Sequence, residues 1–174
     1  MPWHFAAYLK LGERSMRQLA FLLALLPIHA MASQKLGLEG LMNSAQQSPA
    51  PIELRRHLAA EPSNRDALVR CKADKRWGLE EIESFFAAVQ IRLREGKETY
   101  LVFPSKYCPE FFGAHSIPFW IMERNADGSY RELLSSAEDV VEIRDRRTNG
   151  YRDVALQYGF EPSRIVRFDG QAYK

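Results

Sequence analysis

Cys108 and His115 share one irregular stretch, Pro104 to Ser116, and are the residues from which a nucleophile and its base could be drawn. Envelope hydrolase chemistry of that kind needs Cys108 as a free, partly exposed thiolate. Cys71 opposes it. Two cysteines are an even count, and in an oxidising compartment Cys71 and Cys108 are expected to form a disulfide. A loop of that length would stabilise the fold by about 4 kcal/mol on the chain-entropy model. A serine triad would have to recruit His57 or His115, and no Gly-x-Ser-x-Gly elbow is present. Glu80, Glu81 and Glu83 suit the start and solvent side of a helix better than glycosidase chemistry. With one cysteine pair and two histidines beyond residue 32, no metal site is expected; no cofactor is expected either.

The same stretch has a second chemistry, recognition. Tyr107, Phe111 and Phe112 are interleaved with Glu110 and His115 in a loop too long for a tight hairpin. Exposed aromatics on a loop held by a rigid sheet make good interface anchors, so these five residues are the expected partner-binding set. The competing reading folds Phe111 and Phe112 back as a lid over the sheet, with Cys108 as a staple.

The compartment follows from the N-terminus. From Met16 the chain reads Met-Arg-Gln, then an uncharged apolar run from Leu19 to Ile28, then Ala30-Met31-Ala32 before Ser33. A basic start, an apolar centre and small residues at a break are the parts of a secretory signal peptide. Residues 1–32 are therefore expected to be a leader, with the true start at Met16. A membrane anchor would need roughly 20 apolar residues, and Pro27, His29 and Gln34 interrupt the run. The expected location is the periplasm of a Gram-negative bacterium, without stable membrane insertion after cleavage.

Charge narrows the partners. The chain carries 24 Lys and Arg against 22 Asp and Glu. Residues 1–32 hold Lys10, Arg14, Arg17 and Glu13, so the rest is in balance. Nucleic-acid binding needs a concentrated cationic face. Arg144, Arg146 and Arg147 come nearest, but Glu142 and Asp145 interleave them.

The elements that must position these residues read as an α+β domain over residues 52–174, preceded at 33–51 by a flexible arm or a short helix, with weak apolar spacing at Leu36, Leu38, Leu41 and Met42. Ile52–Ala59 and Asn64–Cys71 have helical spacing, the second capped by Ser63, and Leu79–Phe85 opens with Glu80 and Glu81. The period then changes to two. Val89, Ile91 and Leu93 alternate with polar residues, Glu95-Gly96 turns, and Thr99–Phe103 returns. Ile117–Glu123 and Tyr130–Leu134 flank an Asn125–Gly128 turn, and Val140–Arg144 and Tyr151–Tyr158 flank Asn149-Gly150. Ile165–Phe168 follows. Six or seven consecutive strands predict an antiparallel meander with the short N-terminal helices packed on one face.

From about Phe85 onward the order of short motifs resembles a group of exported proteobacterial proteins of uncharacterised activity. The matching stretches are Tyr100–Phe103, Cys108, Pro118–Met122, Gly128–Tyr130, Thr148–Val154 and Arg167–Gly170. The Asn149-Gly150-Tyr151-Arg152-Asp153 unit is similar to the second half of an FG-GAP repeat, in which an Asp-rich turn binds calcium. The corresponding turn here, Arg92–Glu98, is rich in cations and cannot supply six to eight oxygen ligands. Members of the group often have two nearby cysteines where this chain has only Cys108. The resemblance implies export and an antiparallel sheet, and it implies no activity. The Thr148–Asp153 unit is expected to be structural, since turn chemistry accounts for its key residues.

Together these readings predict a periplasmic, non-catalytic interaction or inhibitor protein, of the immunity type that plugs a cell-wall-targeting toxin. Its partner would be a protein of the cell envelope. The alternative is the hydrolase built on Cys108 and His115.

Overall fold

The computed structural model describes residues 33–44, 48–112 and 116–174; the expected leader over 1–32 lies outside them. In chain order the elements are β1 (Gln34–Gly37), α1 (Leu38–Met42), β2 (Ser48–Pro49), α2 (Ile52–Ala60) and α3 (Pro62–Ala73). Two 3-10 turns, Lys75–Trp77 and Ile82–Phe85, lead into β3 (Phe86–Ile91). Then come β4 (Thr99–Pro104), β5 (Ile117–Arg124), β6 (Tyr130–Glu138), β7 (Val140–Thr148), β8 (Tyr151–Gln157) and β9 (Arg164–Val166). The result is the expected α+β fold, dominated by antiparallel sheet.

The strands do not form one meander. They divide into a five-stranded sheet, β2-β3-β4-β5-β6, and a four-stranded sheet, β1-β7-β8-β9. The chain crosses between them at Asp139, the single residue separating β6 from β7. A strand that bends at such a corner can serve two packed sheets.

Alternation decides what each face buries. Ala87, Ile91, Leu101, Phe103, Phe119 and Ile121 face Val141, Ile143, Val154 and Leu156 in the core between the sheets. The intervening residues Phe86, Ala88, Val102, Trp120 and Met122 pack against Leu54 and Leu58 of α2 and Leu68 and Cys71 of α3. The inner strands β3 to β5 are thus buried on both faces, which is why they read as nearly unbroken apolar runs. In the four-stranded sheet β7 alternates between buried and more accessible residues, whereas β8 is buried from Tyr151 to Leu156.

The segment expected as a flexible arm is built into the domain. Gln34–Gly37 pairs antiparallel with Val140–Ile143, Ser48-Pro49 pairs with Ala87-Ala88, and Leu38 is fully buried. A strand this short leaves no readable period. The helix expected over Leu79–Phe85 shrinks to the 3-10 turn Ile82–Phe85, because Glu81 is extended and Phe85 and Phe86 enter the core together. The helix expected from Ser63 starts at Pro62, where the missing proline N–H costs no helical hydrogen bond. Both turn assignments hold: Gly128 has φ 86°, and Asn149 and Gly150 have φ 51° and 82°, the left-handed pair a tight hairpin demands.

Candidate functional site

The loop after β4 is fastened on one side. Ser105 N–H donates to the Phe85 carbonyl at 2.7 Å, and Lys106 Nζ donates to the Gly78 carbonyl at 2.6 Å. Cys108 is joined to Cys71 of α3 by a disulfide with Cα atoms 6.0 Å apart. Two residues on, Glu110 accepts from Arg70 Nε at 2.8 Å, and the Phe111 ring lies 4.7 Å from that of Phe85. These contacts divide the expected recognition residues. Cys108, Glu110 and Phe111 face the helical layer and hold the loop to it. Tyr107 and Phe112 stack on each other at 4.8 Å and line a groove on the other side. His115 lies outside the described residues.

That groove has a volume of about 680 Å³. Three stretches line it: residues of the segment from Gly37 to Asn43, Tyr107 with Phe112 of the loop, and Ser116, Ile117, Asp139 and Val140 of the sheets. Met42 and Ile117 supply apolar surface, while Glu39 and Asp139 supply two carboxylates. Tyr107 is 52 % exposed.

Asp139 ties three segments to this end of the molecule. Its carbonyl accepts from Leu38 N–H at 2.9 Å, and its N–H donates to the Gln157 carbonyl at 3.0 Å. Its carboxylate accepts from Gly159 N–H at 2.5 Å. The β8–β9 turn is therefore fixed to the groove's rim, and it carries a fully exposed Phe160 and a partly exposed Tyr158. The sequence reading missed Phe160. The available signal was a large apolar residue between Gly159 and Pro162, inside a turn where no strand alternation could bury it.

A second constellation sits inside the sandwich. Glu123 of β5 is buried and accepts from Arg131 Nη2 at 2.8 Å and from the Tyr151 hydroxyl at 2.7 Å. Arg94 lies over the Tyr151 ring at 5.4 Å, and Lys97 Nζ is 3.9 Å from Glu123. The cationic turn between β3 and β4 thus serves an internal carboxylate and an aromatic ring.

The remaining residues of the Thr148–Asp153 unit are also internally engaged. Asn149 Nδ2 donates to the Phe168 carbonyl at 2.8 Å. The buried Arg152 fills the irregularity in β7 between Ile143 and Arg147, donating to the Arg144 carbonyl and to Asp145, each at 2.7 Å. Asp153 accepts from the Thr148 hydroxyl at 2.7 Å. The C-terminal tail locks the unit in place, with the Tyr173 hydroxyl donating to the Arg152 carbonyl at 2.7 Å.

Burial raises the phenol pKa of Tyr151 and of Tyr173, with the Glu123 hydrogen bond adding to it at Tyr151. Burial, then the hydrogen bond to Glu98, pushes Tyr100 up to about 12. Between the ordinary phenol value of about 10 and these raised values the folded chain holds more protons than the unfolded one, so stability falls as pH rises. Tyr100 alone accounts for a loss of at most about 3 kcal/mol across that window. Urea unfolding at pH 8, 10 and 11.5, followed with phenolate absorbance, is expected to show a falling midpoint. A midpoint unchanged to pH 11.5 would refute the assignment.

Among the described residues no helix is long and apolar enough to cross a membrane. Comparison with protein-family models, curated protein sequences and solved structures returns no match for this chain.

Proposed function

We propose that this chain is an exported, non-catalytic interaction protein of the periplasm, an inhibitor of the immunity type that engages a cell-wall-targeting toxin through the aromatic end of its sandwich. One observation carries the reading. The loop is tied to the helical layer by Cys108, Glu110 and Phe111, while Tyr107 and Phe112 open onto a groove in which Asp139 also holds the turn that carries the exposed Phe160. Aromatic anchors on a fastened loop lose little conformational freedom on binding, which favours recognition. The disulfide fits an oxidising compartment. The rival hydrolase draws its nucleophile from Cys108, whose sulfur is bonded to Cys71 and buried; no thiolate is available from that state.

A photo-crosslinking residue placed at Tyr107 in cells is expected to give one discrete adduct with an envelope protein. The same residue at Val69, exposed on α3 and away from the groove, is expected to give none. No adduct at either position, or equal adducts at both, would overturn the proposal.

A further inference from the structure

We infer that the groove beside Tyr107 and Phe112 receives an arginine side chain of the partner protein, an assignment that rests on the interaction reading above and gives its site a chemistry. Charge complementarity carries it. Two carboxylates, Glu39 and Asp139, line the groove, and among the described residues no Lys or Arg lines it. Nor is either acid paired with a cation among those residues: the Asp139 carboxylate accepts from the Gly159 N–H. A carboxylate oxygen has lone pairs for more than one donor, so Asp139 can hold that turn and still accept from a ligand. An acidic peptide would meet like charge from both residues.

The aromatic pair narrows the cation. Tyr107 and Phe112 lie with ring centroids 4.8 Å apart and planes inclined at 41°, at the edge of the groove. A guanidinium is planar and weakly hydrated, stacks on aromatic faces, and donates to carboxylates through a fixed fork. An ammonium is a compact, strongly hydrated point charge and uses that combination less well. Met42 and Ile117 offer apolar surface to the aliphatic stem of the arginine and to a neighbouring apolar residue. The favoured occupant is a segment of the partner that presents arginine beside an aliphatic side chain.

The test is an NMR titration of the intact oxidised protein with acetyl-Leu-Arg-Leu amide and with its citrulline counterpart, which keeps the shape and removes the charge. The arginine peptide is expected to shift the Glu39, Tyr107 and Phe112 resonances with a dissociation constant on the order of 1 mM. The citrulline peptide is expected to bind at least about tenfold more weakly, Glu39→Gln to weaken the arginine peptide about fivefold, and Tyr107→Ala/Phe112→Ala about tenfold. Equal binding of both peptides, shifts confined to other surfaces, or concentration-dependent self-association abolished by Tyr107→Ala would overturn the inference. If the peptide fails while the Tyr107 adduct still forms, the arginine preference falls and the interaction reading stands. If the peptide binds as expected and no adduct forms, the groove's preference for arginine stands, but the interaction reading falls and with it the assignment of that arginine to a partner protein.

Discussion

Replacing the disulfide with Cys71→Ala/Cys108→Ala is expected to lower stability by about 4 kcal/mol. The two cysteines are 37 residues apart, and cutting that link restores the full freedom of the loop to the unfolded chain. Most of the effect therefore arises in the unfolded state. Alanine is the replacement of choice because both cysteines are buried, and a serine hydroxyl would add an unpaired polar group. A local effect should accompany the global one. Cys108 is the covalent tie between the loop and α3, where the Arg70–Glu110 pair is largely exposed; the Ser105–Phe85, Lys106–Gly78 and Phe111–Phe85 contacts reach the segment before β3 instead. An exposed ion pair contributes at most about 1 kcal/mol. Without the disulfide, the Tyr107–Phe112 edge should lose order at a free energy well below global unfolding. Urea denaturation of the oxidised, reduced and double-alanine forms measures the first effect. Amide exchange over residues 105–112 measures the second. A loss under about 1 kcal/mol, or a loop equally protected in all three forms, would contradict this account.

The legible parts of the fold are those whose signal is local. Asn125–Gly128 and Asn149-Gly150 announce hairpins because few other residues tolerate the φ values of 51° to 86° found there. The apolar runs of β3, β4 and β5 announce strands, but a run buried on both faces does not say which side meets helices and which meets the second sheet. The corner at Asp139 carries no Gly or Pro, so nothing local told the reader that one meander was two sheets. The pairing of β1 with β7 joins residues more than a hundred positions apart, beyond any periodicity argument. The site divides the same way. An aromatic loop was readable, but Phe111 and Phe112 are interchangeable in an irregular segment. The disulfide and the Phe85 ring decide that Phe111 turns inward while Phe112 lines the groove. Glu39 and Asp139 could not be read as groove residues, because the groove exists only once α1 is set against the β6–β7 corner. Glu123 looked like the polar end of an apolar strand; its burial follows from Tyr151 reaching it from the other sheet.

Arg131→Met is expected to cost about 3–5 kcal/mol, more than its surface position suggests, because of what it leaves behind. The Arg131 side chain is 39 % exposed, whereas that of its partner Glu123 is 1 % exposed. Removing the arginine strands a buried carboxylate with the Tyr151 hydroxyl at 2.7 Å and Lys97 at 3.9 Å as its remaining partners. Removing the acid instead leaves an arginine that water can still reach, so Glu123→Gln should cost less, about 1–3 kcal/mol. The asymmetry is the point of the test. It separates the desolvation cost of an unpaired buried charge from the worth of the pair itself, and predicts that Glu123→Met/Arg131→Met is no less stable than Arg131→Met alone. Tyr151→Phe removes the one hydrogen bond by which β8 reaches this carboxylate across the sandwich, and should cost about 1.5–3 kcal/mol. The Tyr151 ring would remain against Phe168, whose centroid lies 4.0 Å away, so the packing of the core should persist. Urea midpoints for the wild type, Glu123→Met, Arg131→Met and Glu123→Met/Arg131→Met close the cycle, with Glu123→Gln and Tyr151→Phe measured beside it. If Arg131→Met costs under 1 kcal/mol, or if the Glu123 and Arg131 substitutions add without coupling, Arg131 is not the cross-strand partner that holds Glu123 charged beneath the Tyr151 hydroxyl.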